Sequence, residues 1–255
     1  MKEKVLIAAS LKPVNDVRLY HKIGKSIARS RPSEVHIAGF QATNKIKDDQ
    51  IYFHPYSYFN RKSIKRLQIH LQLATYIYQI RPDILIIASW ELIPASLLFK
   101  LLNRKLRLYY DIQENYGANI LYHYKFPLLI RRIFKSIVTG LERLTIPFFK
   151  GYLLAEKCYG DELPFPPDKR LVLENKFVSS LIGTRNEDIK AKIKRDKAKI
   201  SAHPIVFSLT GTLSPVYGIQ EGMKLSESLL NYLPNCLVIL AGTRPDCSLN
   251  GPFLT

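Results

Sequence analysis

Short apolar runs alternate with longer segments of helical periodicity over about the first 180 residues of the chain. Continuous apolar runs are typical of parallel strands that crossover helices cover on both faces of a sheet. The predicted strands cover residues 5–10, 35–40, 51–54, 84–89, 106–111, 152–155 and 171–173. We therefore expect an α/β domain built on a parallel, Rossmann-like sheet.

Two of the intervening segments have a clear helical period, with apolar positions three and four residues apart. In residues 63–80 the stripe predicted to face inward is Ile64, Leu67, Leu71, Ala74 and Tyr78. In residues 127–145 the corresponding stripe is Ile130, Phe134, Ile137, Leu141 and Leu144. Pro82 and Pro147 mark the ends of the two helices, because proline and the residue before it disfavour helical geometry.

The second of these helices allows another interpretation. Arg131, Arg132 and Lys135 lie beside its apolar positions, and a basic amphipathic helix can also bind an anionic membrane surface. A crossover helix packed on the sheet is the preferred interpretation. Peripheral contact with the inner face of the membrane is the alternative for an otherwise cytoplasmic protein.

A second α/β unit begins near Ile205. An apolar run leads to the turn Gly211-Thr-Leu-Ser-Pro-Val-Tyr-Gly218, and a helical stretch then leads to a second apolar run ending at Gly242. Residues 184–203 are polar and strongly basic, which is typical of an exposed connector. We predict a first domain over residues 1–183, a linker over 184–203 and an incomplete second Rossmann-like domain over 204–255.

The charge balance limits the partners without naming one. The chain carries 38 Lys and Arg against 21 Asp and Glu, a net charge of +17. Such a field attracts phosphates, nucleic acid or anionic lipid, but zinc-finger, RNP and KH motifs are absent from the sequence, which disfavours nucleic-acid binding. The three cysteines and six histidines show no metal-ligand spacing. We expect no metal and a reducing, cytoplasmic environment.

Candidate site residues follow the predicted strands, because ligands of open α/β sheets bind beyond the carboxyl ends of the strands. The candidates are Asp16 and Arg18 after the first strand, Trp90 and Glu91 after the fourth, and Asp111, Glu114 and Asn115 after the fifth. Asp16, Trp90, Glu91 and Glu114 also have structural alternatives. Asp16 suits a helix N-cap, Trp90 with Glu91 suits core packing and capping, and Glu114 suits either a general base or backbone support.

Several segments resemble family-four glycosyltransferases of the GT-B fold, and they occur in the family's order. The resemblance is carried by Asn15-Asp-Val-Arg18, Val35-His-Ile-Ala-Gly-Phe40, Arg81-Pro-Asp-Ile-Leu-Ile-Ile-Ala-Ser89 and Tyr110-Asp-Ile-Gln-Glu-Asn-Tyr116. The last is similar to the family's Asp-x-His-Glu segment, with Gln113 in the place of the histidine. The turn from Gly211 to Gly218 resembles the family's first donor loop.

The resemblance implies two facing Rossmann-like domains and a glycosyltransferase without metal or other cofactor. The first domain would bind a glycan or lipid-linked acceptor through Asp16, Arg18, Trp90, Glu91 and Asn115, with Glu114 and Asp111 as catalytic candidates. The second would bind the nucleotide-sugar donor through Gly211, Thr212, Tyr217 and Gly218. Surface polysaccharide biosynthesis is the pathway class that such a resemblance suggests.

The chain departs from this family in two places. The family's basic residues in the donor loop, which offset charge on the leaving diphosphate, are replaced by Thr212 and Tyr217. The family's paired-glutamate motif is also missing, and a truncated reading frame is the preferred explanation. Two alternative functions stay open: a non-catalytic or split-enzyme module that needs a separate donor-binding chain, and a GT-B-fold sugar-nucleotide epimerase. An NAD dehydrogenase is disfavoured, because neither residues 10–16 nor the loop after Thr210 has the Gly-x-Gly pattern of dinucleotide-binding proteins.

Overall fold

A computed structural model describes residues 2–42, 47–56, 68–123, 126–175, 197, 201, 203, 205–212 and 218–243. The chain divides into two compact units, Met1–Val178 and Ser179–Thr255. Apart from residues 197, 201 and 203, the predicted linker lies outside the described residues. The domain limits at 183 and 203 stay predictions.

The first unit is built on one seven-stranded sheet in which every neighbouring pair of strands is parallel. The strands are β1 (Glu3–Pro13), β2 (Ser33–Phe40), β3 (Ile51–Tyr56), β4 (Ile84–Ile87), β5 (Arg107–Ile112), β6 (Phe149–Leu154) and β7 (Arg170–Val172). Their order is β3-β2-β1-β4-β5-β6-β7. The predicted α/β class and all seven predicted strands are confirmed, although the ends shift by a few residues.

Helices connect the strands. They are a π-helical segment (Val17–Gly24), α1 (Lys25–Ser30), α2 (Gln68–Ile80), α3 (Ile93–Leu102), α4 (Tyr116–His123), α5 (Leu128–Thr145) and α6 (Tyr159–Glu162), with 3₁₀ turns at Trp90–Leu92, Ile146–Phe148 and Pro167–Lys169. None of the helices within the described ranges is long and apolar enough to cross a membrane.

The sheet is apolar on both faces, as the continuous runs predicted. Because successive side chains of a strand point to opposite faces, β1 sends Leu6 and Ala8 into one buried cluster and Val5 and Ile7 into the other. The first cluster includes the buried side of α2, and the second includes the π-helical segment. The N-terminal strand therefore lies in the middle of the core.

The predicted inward stripe of α2 is wrong. Leu71 and Tyr78 are exposed, and Ile64 and Leu67 lie outside the described residues. The side chains that α2 buries are Ile69, Leu73, Ile77 and Ile80. The helix has apolar residues on more than one side, so periodicity alone does not select the buried one. The row of branched aliphatic residues packs on the sheet.

The predicted inward stripe of α5 is also wrong, although the helix has the predicted span. Ile130, Phe134, Ile137 and Leu144 are exposed, and Leu141 is half-buried. The buried residues of α5 are Val138, Glu142 and Thr145. The helix therefore packs through a largely polar side, which the hydrogen bond from the Tyr110 hydroxyl to Glu142 Oε1 (3.0 Å) holds in place.

The second unit contains, within its described residues, the strands β8 (Ile205–Thr212) and β9 (Cys236–Thr243) and the helix α7 (Ile219–Tyr232). β8 and β9 pair in parallel over their full length. α7 lies close to β8, since a Cβ atom added at Gly222 would approach Leu209 Cδ2 to 2.5 Å. This strand–helix–strand arrangement is the predicted start of a Rossmann-like unit.

Candidate functional site

The order of the strands reverses direction between β1 and β4, which lie side by side at the centre of the first sheet. In open α/β sheets such a reversal opens a crevice at the carboxyl ends of the two strands. Here the ends are joined directly, because the Ser10 backbone N–H donates to Ser89 Oγ at 3.2 Å. The residues that follow β1, β4 and β5 therefore meet at one edge.

Two of the predicted site residues form a buried ion pair at this edge. Arg18 Nε lies 3.0 and 2.9 Å from the two carboxylate oxygens of Asp111, and Arg18 Nη2 lies 2.6 Å from Oδ1. Arg18 Nη1 donates to the carbonyl oxygen of Leu173 at 2.6 Å. The side chains are only 2% and 0% exposed. The pair therefore joins the start of the first helix to β5 from inside the protein, and this burial argues against direct substrate contact by either residue.

Gln113 connects the buried pair to the surface of the crevice. Its Nε2 donates to Asp111 Oδ2 at 2.8 Å, and its Oε1 accepts a hydrogen bond from the Lys12 ammonium. The ammonium also lies 3.8 Å from Asp16 Oδ2. The partly exposed Lys12 is thus a cation held at the carboxyl end of β1, and Gln113 holds it there in the position where the resembled family has a histidine.

Asp16 is the N-cap of the helical segment that follows β1. Its Oδ1 accepts from the backbone N–H groups of Arg18 and Leu19 at 2.9 and 3.1 Å. Carboxylates at this position satisfy the free N–H groups of a first helical turn. The structure therefore supports the capping alternative for Asp16 and still leaves its Oδ2 near Lys12.

Trp90 and Glu91 open the 3₁₀ turn after β4. Trp90 is partly buried and packs against the main apolar cluster. Glu91 is half-buried in the first turn. Both residues therefore lie at the crevice end of β4, as predicted. The contacts of Trp90 with the apolar cluster fit the alternative interpretation, in which it packs in the core.

Glu114 is the exposed carboxylate among the predicted residues after β5. Its Oε2 accepts from Asn119 Nδ2 at 2.8 Å, one turn into α4. Asn115 Oδ1 accepts from the Ala118 backbone N–H at 3.0 Å, and Asn115 Nδ2 donates to Glu162 Oε2 at 2.9 Å. Asn115 therefore caps α4, and Glu114 projects from the capped loop.

The residues that follow β6 were not among the candidates from the sequence. The Tyr159 hydroxyl donates to the Gln113 carbonyl oxygen at 3.4 Å, and Glu162 holds Asn115. Burial, followed by the nearby carboxylates Glu156, Glu114 and Glu162, raises the pKa of Tyr159. The signal was available, since the rule about carboxyl ends applies to β6 as well as to β5.

The predicted donor-loop residues lie in the second unit. Gly211 and Gly218 have φ angles of 131° and 75°, a range that residues other than glycine rarely adopt. Gly218 is the N-cap of α7, and its carbonyl oxygen accepts from the Gly222 N–H at 2.8 Å. Thr212 ends β8 beside Thr243 of β9. Tyr217 lies outside the described residues.

A cavity lined by described residues lies away from this edge. It has a volume of about 330 Å³ and an apolar floor that includes Ile84 and Ile86. Arg31 and Arg107 at its rim both pair with Glu3, which offsets their charge. The cavity extends to the first residues of β4 and β5, at the amino ends of the strands, so it is not part of the candidate site.

The histidines of β2 and β3 form a separate cluster. His36 Nδ1 lies 2.9 Å from His54 Nε2, and His36 Nε2 lies 3.0 Å from Glu34 Oε1. Burial and, to a lesser extent, the neighbouring His36 lower the pKa of His54 to about 4. Among the residues that the structure describes, no group of three or more His, Cys, Asp or Glu side chains is arranged to hold a metal.

Comparisons with known proteins place the fold. No protein-family model matches the chain, and no curated protein matches its sequence. Sucrose-phosphate synthase from Thermosynechococcus elongatus superposes with a TM-score of 0.62 at 12% identity, over 97% of this chain and 64% of that one. HepE from Anabaena, solved in complex with UDP and glucose, superposes at 0.57 and 15% identity, over 95% and 62%. The fold is of the GT-B type.

A third GT-B structure widens the range of activities. UDP-GlcNAc 2-epimerase from Neisseria meningitidis, bound to UDP-GlcNAc, superposes with a TM-score of 0.55 at 15% identity, over 97% of this chain and 66% of that one. At such identities the likeness is one of fold. The chain spans about two thirds of the length of the structures it matches.

Proposed function

We propose that this protein is a GT-B glycosyltransferase that moves a sugar from a nucleotide-sugar donor to a glycan or lipid-linked acceptor, in surface polysaccharide synthesis. The observation that carries the proposal is the exposed carboxylate of Glu114 at the crevice end of β5, in a fold of the GT-B type. The likeness to sucrose-phosphate synthase and to HepE, solved with UDP and glucose, supports the substrate class.

The reaction needs a base for the acceptor hydroxyl and a group that offsets the charge of the leaving diphosphate. Glu114 would take the proton from an acceptor hydroxyl, whose oxygen forms the new bond to the anomeric carbon. The bond from that carbon to the diphosphate breaks, and the diphosphate leaves with the electron pair. In the second unit, the free backbone N–H groups of the first turn of α7, which follows its N-cap Gly218, are the proposed binding group for that negative charge. The proposed reaction uses no metal ion.

The buried pair of Arg18 and Asp111 would act on the acceptor indirectly, through other side chains. It anchors Gln113, and Gln113 holds the Lys12 ammonium at the mouth of the crevice. Arg18 and Asp111 are therefore proposed as positioning residues, while Lys12, Trp90, Glu91 and Asn115 form the acceptor side.

The test is a transfer assay on the full chain with a panel of UDP-, GDP- and ADP-sugars and with oligosaccharide and polyprenyl-linked acceptors. We expect release of nucleoside diphosphate that depends on acceptor. Glu114→Gln should lower turnover about 100-fold or more, the smallest usual effect of removing a general base. The matched control is Asp168→Asn, an exposed carboxylate at the amino end of β7. Equal activity of the two variants would refute the role of Glu114.

A second candidate function is sugar-nucleotide epimerisation, which the likeness to UDP-GlcNAc 2-epimerase favours. In that case donor would be converted with no acceptor present. A third is a non-catalytic or split-enzyme module that needs a separate donor-binding chain. Transfer would then appear only after a separate donor-binding chain is added to this one.

A further inference from the structure

The helix α5 differs from an ordinary crossover helix, because its buried side is largely polar and its exposed side is apolar. Its side toward the protein carries the buried residues Val138, Glu142 and Thr145. Its exposed side carries a row of apolar residues that we call the outer stripe: Leu129, Ile130, Ile133, Phe134, Ile137 and Leu144. These side chains are between 39% and 77% exposed. Large apolar side chains clustered on one exposed face indicate an interaction surface.

Contacts with α4 hold α5 in this orientation. Arg131 Nη1 donates to the Leu121 carbonyl oxygen at 2.7 Å. A Cβ atom added at Gly117 of α4 would lie 3.0 Å from Thr139 Oγ1 and 3.6 Å from Lys135 Cγ, so the two helices are in close contact there. Together with the hydrogen bond from Tyr110 to Glu142, these contacts occupy the polar side of α5. The outer stripe is therefore presented outward by packing on the opposite side.

The outer stripe continues onto the turn before the helix. Phe126 in this turn is exposed, and its ring lies 6.5 Å from that of Phe134. From Leu129 to Leu144 the stripe extends ~22 Å along the helix at 1.5 Å per residue. This length is enough for a helix that lies in the plane of a membrane interface.

The charge around the stripe is strongly one-sided. Between Glu114 and Glu156 the sequence contains one acidic residue, Glu142, which is buried. The same interval contains six basic residues: Lys125, Arg131, Arg132, Lys135, Arg143 and Lys150. Arg132 and Arg143 are exposed and eleven residues apart, about three helical turns, so they lie on the same flank of the stripe.

We propose that the outer stripe of α5, with Arg132 and Arg143 on its flank, binds the surface of a bilayer that contains anionic phospholipids. The apolar side chains would enter the boundary between headgroups and acyl chains, and the arginines would pair with lipid phosphates. An exposed face that combines large apolar side chains with flanking arginines has the composition of helices that lie in an anionic membrane interface. The inference is independent of the proposed function, since it needs neither donor nor acceptor.

The first experiment measures co-sedimentation of the full chain with vesicles of phosphatidylcholine alone or with one quarter phosphatidylglycerol. We expect binding to the anionic vesicles that weakens with salt. Replacement of Arg132 and Arg143 by alanine should weaken it about five-fold each, the factor equivalent to about 1 kcal/mol per basic residue. The control, Arg104→Ala with Lys105→Ala, removes two exposed charges from the loop after α3 and should leave binding nearly unchanged. Equal losses in both pairs would overturn the proposal.

The second experiment separates insertion of the stripe from attraction by the net charge of +17. Phe134→Trp should show, beyond the emission of the native Trp90, a blue-shifted emission that lipids brominated in their acyl chains quench. Tyr232→Trp, at an exposed position of α7, should show neither. Vesicle binding without quenching at position 134 would overturn the proposal. So would a stable dimer in solution that Ile133→Ser with Ile137→Ser converts to monomer, because a second copy would then cover the stripe.

Discussion

Two helices of the first unit break the usual rule of burial in opposite directions. The π-helical segment after β1 buries the charged Arg18, whereas α5 exposes its outer stripe of leucine, isoleucine and phenylalanine. Arg18 finds a carboxylate and a carbonyl oxygen inside the protein. On the polar side of α5, Arg131 donates to a carbonyl oxygen of α4, and Glu142 accepts from the Tyr110 hydroxyl. Burial here follows the partners that the fold supplies, rather than the polarity of the side chain.

The largest expected effect comes from removing one member of the buried ion pair. Arg18→Ala leaves the Asp111 carboxylate buried without its cation, which should lower the free energy of unfolding by about 3–5 kcal/mol. The double variant Arg18→Met with Asp111→Leu should recover most of this loss, because no unpaired charge remains. Urea denaturation measures both.

The matched control is Arg132→Ala on the exposed flank of α5, which should change stability by less than about 0.5 kcal/mol. If Arg18→Ala lowers the free energy of unfolding as little as Arg132→Ala does, the buried Arg18 is no more important for stability than an exposed arginine, and the contrast between the two helices is wrong.

The next effect is the dependence of stability on pH through Glu142, the buried acid of α5. Burial raises the pKa of Glu142 from 4.5 to about 7, an effect that the hydrogen bond from Tyr110 opposes only in part. The folded state then binds its proton more tightly than the unfolded state does. The free energy of unfolding should therefore fall as pH rises from about 4.5 to about 7, by on the order of 3 kcal/mol, at 1.36 kcal/mol per unit of pKa shift.

Glu142→Gln should remove this decrease. The comparison of the variant with the wild type at pH 5 and pH 8 isolates Glu142 from the histidines, because His36 and His54 have lowered pKa values in both proteins and oppose the trend. Parallel stability profiles of the two proteins would show that Glu142 is not buried as a proton-binding group.

The smallest effect compares neighbours on α5. Val138 is fully buried and Ile137 is 55% exposed. Val138→Ala removes two buried methyl groups and should cost about 2 kcal/mol. Ile137→Ala should cost less than about 0.5 kcal/mol, as an exposed substitution. Thermal or urea denaturation checks the pair, and a larger loss at Ile137 would mean that the outer stripe packs inward.

Part of the fold and of the candidate site could be predicted from the sequence. All seven strands of the first sheet follow from apolar runs, because a strand covered on both faces shows its burial in consecutive residues. The capping alternative for Asp16 followed from its place before a helix. The roles assigned to Glu114 and to the donor loop stay predictions, although the positive φ angles of Gly211 and Gly218 fit a loop that needs glycine there.

The remainder depended on contacts between residues far apart in the sequence. The partner of Arg18 lies 93 residues away, and no local pattern connects the two positions. Helical periodicity groups Ile130, Phe134 and Ile137 on one face of α5 but does not say which face meets the sheet. The sequence by itself determined which segments are strands and helices and which residues share a side. Only the tertiary structure decided which side is buried, because that depends on the charge, shape and hydrogen bonds of whatever the fold packs against it.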